Sequence, residues 1–75
     1  MSSATRRLSH SPAQCPRWDV FLGGKIAGYI WWYNHGYCWL SVARPTKLPA
    51  SYLPAADGTL DEAQTLVLEE FHGCN

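Results

Sequence analysis

The segment from Trp18 to Val42 constrains the fold more than any other part of the chain. It is rich in aromatic and β-branched residues and is interrupted twice by turn-forming residues, at Gly23-Gly24 and at Asn34-His35-Gly36. Strand-forming runs separated by short turns of this kind are typical of β-hairpins. The segment therefore predicts a double hairpin with three antiparallel strands, which are Arg17 to Leu22, Lys25 to Tyr33, and Tyr37 to Val42.

The two turns also predict how the strands pair. We expect Gly24 and Gly36 each to take the left-handed position of a three-residue loop, a type I turn closed by a bulge. The flanking pairs are then Phe21 with Lys25 and Tyr33 with Tyr37. A two-residue turn at Gly23-Gly24 is the alternative, but it would mix apolar and polar residues on each face, because a slip of one residue moves every side chain across the sheet.

In the favoured register one face of the sheet is mostly aliphatic and the other is aromatic. The aliphatic face consists of Trp18, Val20, Ile26, Ile30, Leu40 and Val42. The aromatic face consists of Phe21, Tyr29, Trp31, Tyr33, Tyr37 and Trp39.

A capping box at Thr59 to Glu62 predicts the start of a helix, because the Thr59 hydroxyl is placed to accept from the Glu62 amide. Apolar residues then recur at helical spacing, at Leu60, Ala63, Val67 and Phe71. We expect a helix from about Leu60 to about His72 that packs its apolar stripe on the aliphatic face of the sheet. The predicted fold class is α+β, a three-stranded antiparallel sheet followed by one C-terminal helix.

The remaining segments show no regular apolar period. Residues 1–16 are rich in serine and are expected to form a mobile N-terminal tail. Residues 44–58 contain three prolines and are expected to form a loop, because proline lacks an amide donor and restricts the residue before it. With 75 residues in all, the chain has room for a single domain, expected at residues 17–75.

The aromatic face is the main candidate functional feature, because one helix cannot cover both faces of a sheet. Aromatic side chains bring a large contact area and dominate interaction hot spots. We therefore expect the six aromatic residues named above to bind a partner protein. Two alternatives are that the tail or the loop covers these rings, and that two copies of the chain form a homodimer through them.

A second hypothesis is that the sheet binds nucleic acid, with bases stacked on the rings and cations along the phosphate backbone. The candidate cations are Arg17, Lys25, Arg44 and Lys47. The formal net charge of zero counts against this hypothesis. The acidic residues are concentrated in the helix and its entry, however, so the sheet side is expected to be the more basic side.

The sequence carries no pattern of catalytic residues, and neither enzymatic activity nor a cofactor is expected. His35, Cys38, His72 and Cys74 match no known zinc-site spacing, and no metal site is expected. An odd number of cysteines, three, argues against a secreted disulfide framework and favours a reducing cytoplasm. No apolar run is long enough to span a bilayer, so no membrane association is expected.

Five short runs of residues carry a resemblance to a class of small proteins. They are Trp18-Asp19-Val20-Phe21, Gly24-Lys25, Gly28-Tyr29-Ile30, Gly36-Tyr37-Cys38-Trp39 and Thr59-Leu60-Asp61-Glu62-Ala63. Over about two-thirds of its length the chain resembles small sheet-plus-helix proteins encoded by phages, prophages and mobile elements. Among these are anti-CRISPR proteins, which inhibit bacterial defence complexes by occupying a surface of a larger assembly. The resemblance implies an inhibitor of a bacterial defence complex that acts in the cytoplasm of the host cell.

The same architecture is similar to the arm-binding domain of phage-type integrases, in which a three-stranded sheet reads duplex DNA from the major groove. This chain departs from that pattern because its open face is aromatic and not rich in Arg and Lys. Binding to protein is therefore favoured over binding to duplex DNA.

Overall fold

The sheet has five strands, and one helix follows them. The computed structural model describes residues 3–10 and 15–73. Its elements are β1 (Ala4–His10), β2 (Arg17–Leu22), β3 (Lys25–Tyr33), β4 (Gly36–Ser41), β5 (Ser51–Pro54) and α1 (Leu60–Gly73). The strands form an antiparallel meander in the order β1-β2-β3-β4-β5. The predicted α+β class with a C-terminal helix is confirmed, and the predicted number of three strands is wrong.

Both additional strands lie where no regular element was expected. β1 occupies the predicted N-terminal tail and pairs with β2, which would otherwise be an edge strand. β5 lies in the predicted loop at residues 44–58 and pairs with β4. Neither segment has a strong pattern of its own, and each is stabilised by the strand beside it. The tail predicted at residues 1, 2 and 11–14 lies outside the described residues.

Both hairpins close with two-residue turns and not with the predicted three-residue loops. Gly23 and Gly24 have φ angles of 59° and 83°, and Asn34 and His35 have φ angles of 52° and 60°. Two consecutive left-handed residues are the signature of a type I′ turn, whose twist matches that of the flanking strands. Gly36 does not take the left-handed position expected of it.

A bulge in the β2–β3 pairing reconciles the two-residue turn with a buried apolar face. Leu22 pairs with Lys25 at the turn, and the register shifts after Phe21 so that Val20 lies opposite Gly28. Ala27, the extra residue, is fully buried in the core. The mixing of faces expected from a two-residue turn is avoided because the bulge restores the alternation beyond it.

The β3–β4 hairpin has no such bulge, and its register differs from the predicted one by one residue. Ile30 lies opposite Trp39, and Trp31 lies opposite Cys38. Consequently every β4 side chain lies on the face opposite to the predicted one. Leu40 was expected in the core, and it lies across from Tyr29 on the other side of the sheet.

The core lies between the helix and one face of the sheet. Val20, Ala27, Ile30, Ala63 and Val67 are fully buried. The residues packed around them are Trp18, Leu22, Tyr37, Trp39, Leu53, Leu60, Leu68 and Phe71. Of the predicted core residues, Ile26, Leu40 and Val42 do not belong to this set, and Val42 is exposed.

The helix begins where the capping box predicts. The Glu62 amide donates a hydrogen bond to the Thr59 hydroxyl oxygen, 3.3 Å away. The apolar stripe packs mainly on β3 and β4, as its buried Ala63 and Val67 show. In the described part of the chain, no helix has the length and apolar character needed to cross a membrane.

Candidate protein-binding face

The face of the sheet turned away from α1 is covered by no other helix or strand within the described residues. We call it the open face. Strand alternation and the observed register place the following side chains on it: Thr5, Arg7, Arg17, Asp19, Phe21, Ile26, Tyr29, Trp31, Tyr33, Cys38, Leu40 and Tyr52.

Four of the six predicted ring residues lie together on the open face. Phe21 comes from β2, and Tyr29, Trp31 and Tyr33 alternate along β3. Tyr33, at the end of the strand, is 62% exposed, and the other three are partly buried by their neighbours. The long central strand therefore presents a row of three rings on one side.

The assignment of Tyr37 and Trp39 to the aromatic face is wrong. Both lie on the helix side and pack against the core. The Tyr37 ring meets the rings of Trp18 and Trp32 edge to face, with centroids 6.2 Å and 5.0 Å apart. The Tyr37 contacts join three strands beneath the helix, and Trp39 packs against the core, so both β4 rings are structural.

The open face also holds residues that the sequence analysis did not place there. Arg7 comes from β1 and Tyr52 from β5, and neither strand was predicted. The Tyr52 ring lies over Gly36, where a Cβ atom would approach the ring to 2.5 Å, and its hydroxyl donates to the Asn34 carbonyl. The glycine after the turn is therefore needed for ring packing. No local signal identified these residues, because their placement depends on strand pairing.

Two arginines stack on rings of the open face. The guanidinium of Arg7 lies 5.6 Å from the centroid of Phe21, and that of Arg17 lies 4.8 Å from the centroid of Tyr29. Both distances are within the range of cation–π attraction. Asp19 lies opposite Arg7 and two residues from Arg17, but it forms no ion pair with another described residue. The open face therefore carries two cations that stack on rings, and one carboxylate.

The four cations predicted for nucleic-acid binding are not brought together. Only Arg17 lies on the open face. Lys25 lies at the β2–β3 turn, and Lys47 lies in the connection between β4 and β5. Arg44 is turned to the helix side, where its Nη2 lies 2.7 Å from Glu70 Oε2 and its guanidinium lies 5.3 Å from the Trp39 ring.

A shallow pocket lies where the open face meets the β4–β5 connection. Its volume is about 370 Å³, and its lining is largely apolar. The residues lining it are Tyr29, Leu40, Val42, Arg44, Pro45, Thr46 and Leu48. We call it the Leu40 pocket. Val42 and Leu48 are 46% and 57% exposed, so both leave apolar surface in contact with water beside the pocket.

Among the described residues, no group of three or more His, Cys, Asp or Glu side chains is arranged so that it could hold a metal ion. The Cys15 thiol donates to the Trp32 carbonyl at 3.1 Å. Burial raises the pKa of the Cys38 thiol, and the nearby Cys15 thiolate raises it further. His72 lies in the last turn of α1, and Cys74 lies outside the described residues.

We compared the chain with protein-family models, with curated proteins and with solved structures, and none of the three comparisons gave a match.

Proposed function

We propose that the chain is a non-catalytic module that binds a partner protein through the open face. The observation that carries the proposal is the row of rings on β3, where Tyr29, Trp31 and Tyr33 follow one another on a sheet surface that no other described element covers. A few residues carry most of the binding energy at protein interfaces, and Trp and Tyr are enriched among them because they bury a large area at low cost in conformational entropy.

The arrangement of the β4 rings supports the same proposal. Tyr37 and Trp39 complete the core beneath α1, so the fold has an apolar interior without the open face. The rings of the open face add little to that interior. A surface of this kind in a small domain is a marker of an interaction site.

The experiment compares Trp31→Ala with Trp39→Ala, which remove the same side chain from opposite faces. The partner is first identified by affinity capture from the native host. It is then purified and mixed with each variant. Trp31→Ala is expected to abolish complex formation while the chain still unfolds cooperatively. Trp39→Ala is expected to lower the free energy of unfolding by up to about 3 kcal/mol, because its partly buried ring packs against the core.

Leu8→Ala is the matched control, because Leu8 is a half-exposed apolar residue on the helix side of β1. It is expected to leave the complex intact. A complex that survives Trp31→Ala and Tyr33→Ala would contradict the proposal. A concentration-dependent dimer in which the fluorescence of Trp31 is protected from quenching by a soluble quencher would assign the open face to self-association instead.

We further propose that the bound partner is a bacterial defence complex and that the chain is a mobile-element-encoded inhibitor of it. This part rests on the resemblance of the sequence to anti-CRISPR-type proteins. It is tested by plasmid transformation into strains with active CRISPR interference. Restored transformation that Trp31→Ala abolishes would support it, and continued interference at full expression of the chain would contradict it.

Nucleic-acid binding is the second candidate function, and the stacked Arg7 and Arg17 are the observation that favours it. Stacked guanidiniums beside free rings suit single-stranded bases and phosphates. This function requires an affinity for oligonucleotides that falls steeply with salt and depends on both arginines. An affinity independent of salt would exclude it.

A further inference from the structure

We infer that the partner presents an acidic segment, in which one apolar side chain enters the Leu40 pocket and a nearby carboxylate pairs with Arg17. The inference rests on the proposed function, because it names the kind of protein that binds the same face. Three features carry it, namely the lining of the pocket, the position of Arg17 beside it, and the distribution of charge over the chain.

The pocket has the dimensions and lining of a site for a single apolar group. Its volume of about 370 Å³ lies at the small end of the range for ligand pockets, about 300–1,000 Å³. Leu40 and Tyr29 form its floor on the sheet, and Leu48 lies on the loop side. Leu48 is 57% exposed in the free chain, so a side chain that enters here removes additional apolar surface from water.

Tyr29 connects the pocket to a cation. Its side chain lines the pocket, and its ring carries the Arg17 guanidinium at 4.8 Å. Within the described residues that guanidinium has no hydrogen-bonded or ion-paired side chain. Stacking on the ring holds the guanidinium near the pocket while its N–H groups remain able to pair with a carboxylate.

Arg44 also lines the pocket, but its guanidinium already has partners in the chain. It donates to Glu70, to the Pro49 carbonyl and to the Ser51 hydroxyl. Arg44 therefore stabilises the wall of the pocket, and Arg17 is the cation that faces an incoming ligand.

The distribution of acidic residues favours an acidic partner. Five of the six lie on α1 and its entry, on the other side of the sheet: Asp57, Asp61, Glu62, Glu69 and Glu70. The open face has Arg7 and Arg17 and only Asp19 against them. The helix side is therefore electrostatically complementary to a basic partner, and the open face is complementary to an acidic one.

An acidic peptide also fits this face better than a nucleic acid. Leu40, Val42 and Leu48 form much of the pocket lining, and their aliphatic side chains offer a base no flat surface for stacking. The Tyr29 ring also lines the pocket, but the Arg17 guanidinium already stacks on it. Two cations with a carboxylate between them supply few contacts for a phosphate backbone.

The test uses a displayed library of random dodecapeptides and the purified full-length chain. We expect the enriched peptides to share an apolar residue with Asp or Glu close to it in sequence. Arg17→Gln should weaken the binding of a synthetic peptide with that pattern by about tenfold, the effect of losing one charged hydrogen bond. Lys25→Gln is the matched control, since it removes an exposed cation at the turn, and it should leave the affinity for the peptide unchanged.

A second pair of variants tests the pocket. Leu48→Ser should lower the affinity of the chain for the same peptide. Leu8→Ser should leave that affinity unchanged, although both side chains are about half exposed. Because both residues are exposed, neither substitution is expected to unfold the chain, and circular dichroism verifies this.

The other outcomes overturn the inference in distinguishable ways. Failure to enrich peptides, enrichment of peptides without acidic residues, or an affinity unaffected by Arg17→Gln or Leu48→Ser would each overturn it. The proposed function would survive these outcomes if Trp31→Ala still abolished the complex with the partner. Salt-dependent binding of oligo-dT in place of peptides would overturn both, because it would assign the face to nucleic acid.

Discussion

At the scale of single residues, Gly28 determines how closely the helix approaches the sheet. It is buried on β3, opposite Val20, and faces Val67 of α1. A Cβ atom at this position would lie 2.5 Å from Val67 Cγ1 and closer still to the Leu40 carbonyl oxygen. Both neighbours belong to packed elements, so neither has space to move aside.

Gly28→Ala is therefore expected to lower the free energy of unfolding by about 1–3 kcal/mol, the cost of overpacking a core. Urea unfolding measures the change. Gly73→Ala is the control, because a Cβ atom there meets nothing within 4 Å, and it should leave the midpoint almost unchanged. Equal midpoints for the wild type and Gly28→Ala would show that α1 does not pack this closely.

The two described thiols should differ in their reactivity. Cys15 is exposed, whereas Cys38 is partly buried and has a raised pKa. At pH 8 iodoacetamide should alkylate Cys15 before Cys38, because the thiolate is the reactive form. Cys15→Ser should speed the alkylation of Cys38, since the neighbouring thiolate is one cause of the shift. Peptide mass spectrometry measures both rates.

The same shift predicts how stability depends on pH. In the folded chain Cys38 retains its proton to higher pH than in the unfolded chain. Its contribution to stability is full below the unfolded thiol pKa of about 8.5 and is lost as the pH rises through the folded value. A Cys38→Ser variant should lose less stability than the wild type between pH 8 and pH 10. Parallel pH curves for the two proteins would contradict the assignment.

At the scale of elements, two ion pairs between described residues link α1 to the rest of the chain, and the two differ in character. Near the start of α1, Arg6 Nη1 of β1 lies 2.7 Å from Asp61 Oδ1 and 2.7 Å from Gln64 Oε1. The Asp61 side chain is 86% exposed. Near the end of α1, Arg44 binds Glu70 through two nitrogens, and both side chains are largely buried. The second pair joins the helix to the connection between β4 and β5.

Replacing each arginine by lysine separates the two contributions. Arg44→Lys should lower the free energy of unfolding by about 1.5–3 kcal/mol. Lysine cannot reproduce the bidentate contact with Glu70 or the hydrogen bonds to Pro49 and Ser51. Arg6→Lys should cost less than about 0.5 kcal/mol, because exposed ion pairs contribute little. Chemical unfolding of both variants gives the comparison. A larger loss for Arg6→Lys would reverse the roles assigned to the two ends.

At the scale of the whole molecule, β1 makes the sheet larger than the double hairpin. It pairs with β2 from Ala4 to His10, and Arg6 extends from it to the helix. Its two consecutive arginines also place charge on the outer strand, which discourages edge-to-edge association. Without β1, the apolar strand β2 would become the edge.

A variant that lacks residues 1–10 should therefore be less stable and should self-associate. We expect its Tm to fall by about 10 °C or more, since 1 kcal/mol shifts the Tm of a domain this size by about 4–8 °C. Arg6→Ala in the full chain is the control that keeps the strand and loses the ion pair. Thermal unfolding and sedimentation measure the two effects. A truncated chain that stayed monomeric and equally stable would show that β1 is dispensable.

The candidate site shows where sequence reasoning succeeds and where it stops. Tyr29, Trp31 and Tyr33 share one face in any register, because alternate residues of one strand always do. Tyr37 and Trp39 share a face with each other for the same reason. Which of the two faces they join depends on the register between the strands, and a one-residue slip exchanges the faces completely.

Local signals in the sequence predict the strands of the double hairpin and a helix that begins at Leu60 after the Thr59 cap. The β3–β4 register, the strands β1 and β5, and hence the composition of the open face depend on contacts between segments that are distant in the chain. The type I′ turn at Asn34 and His35 and the packing of Tyr37 beneath the helix settle that register together. The reason is physical: pairing between strands is a non-local interaction, and its energy depends on neighbours that the local sequence does not contain.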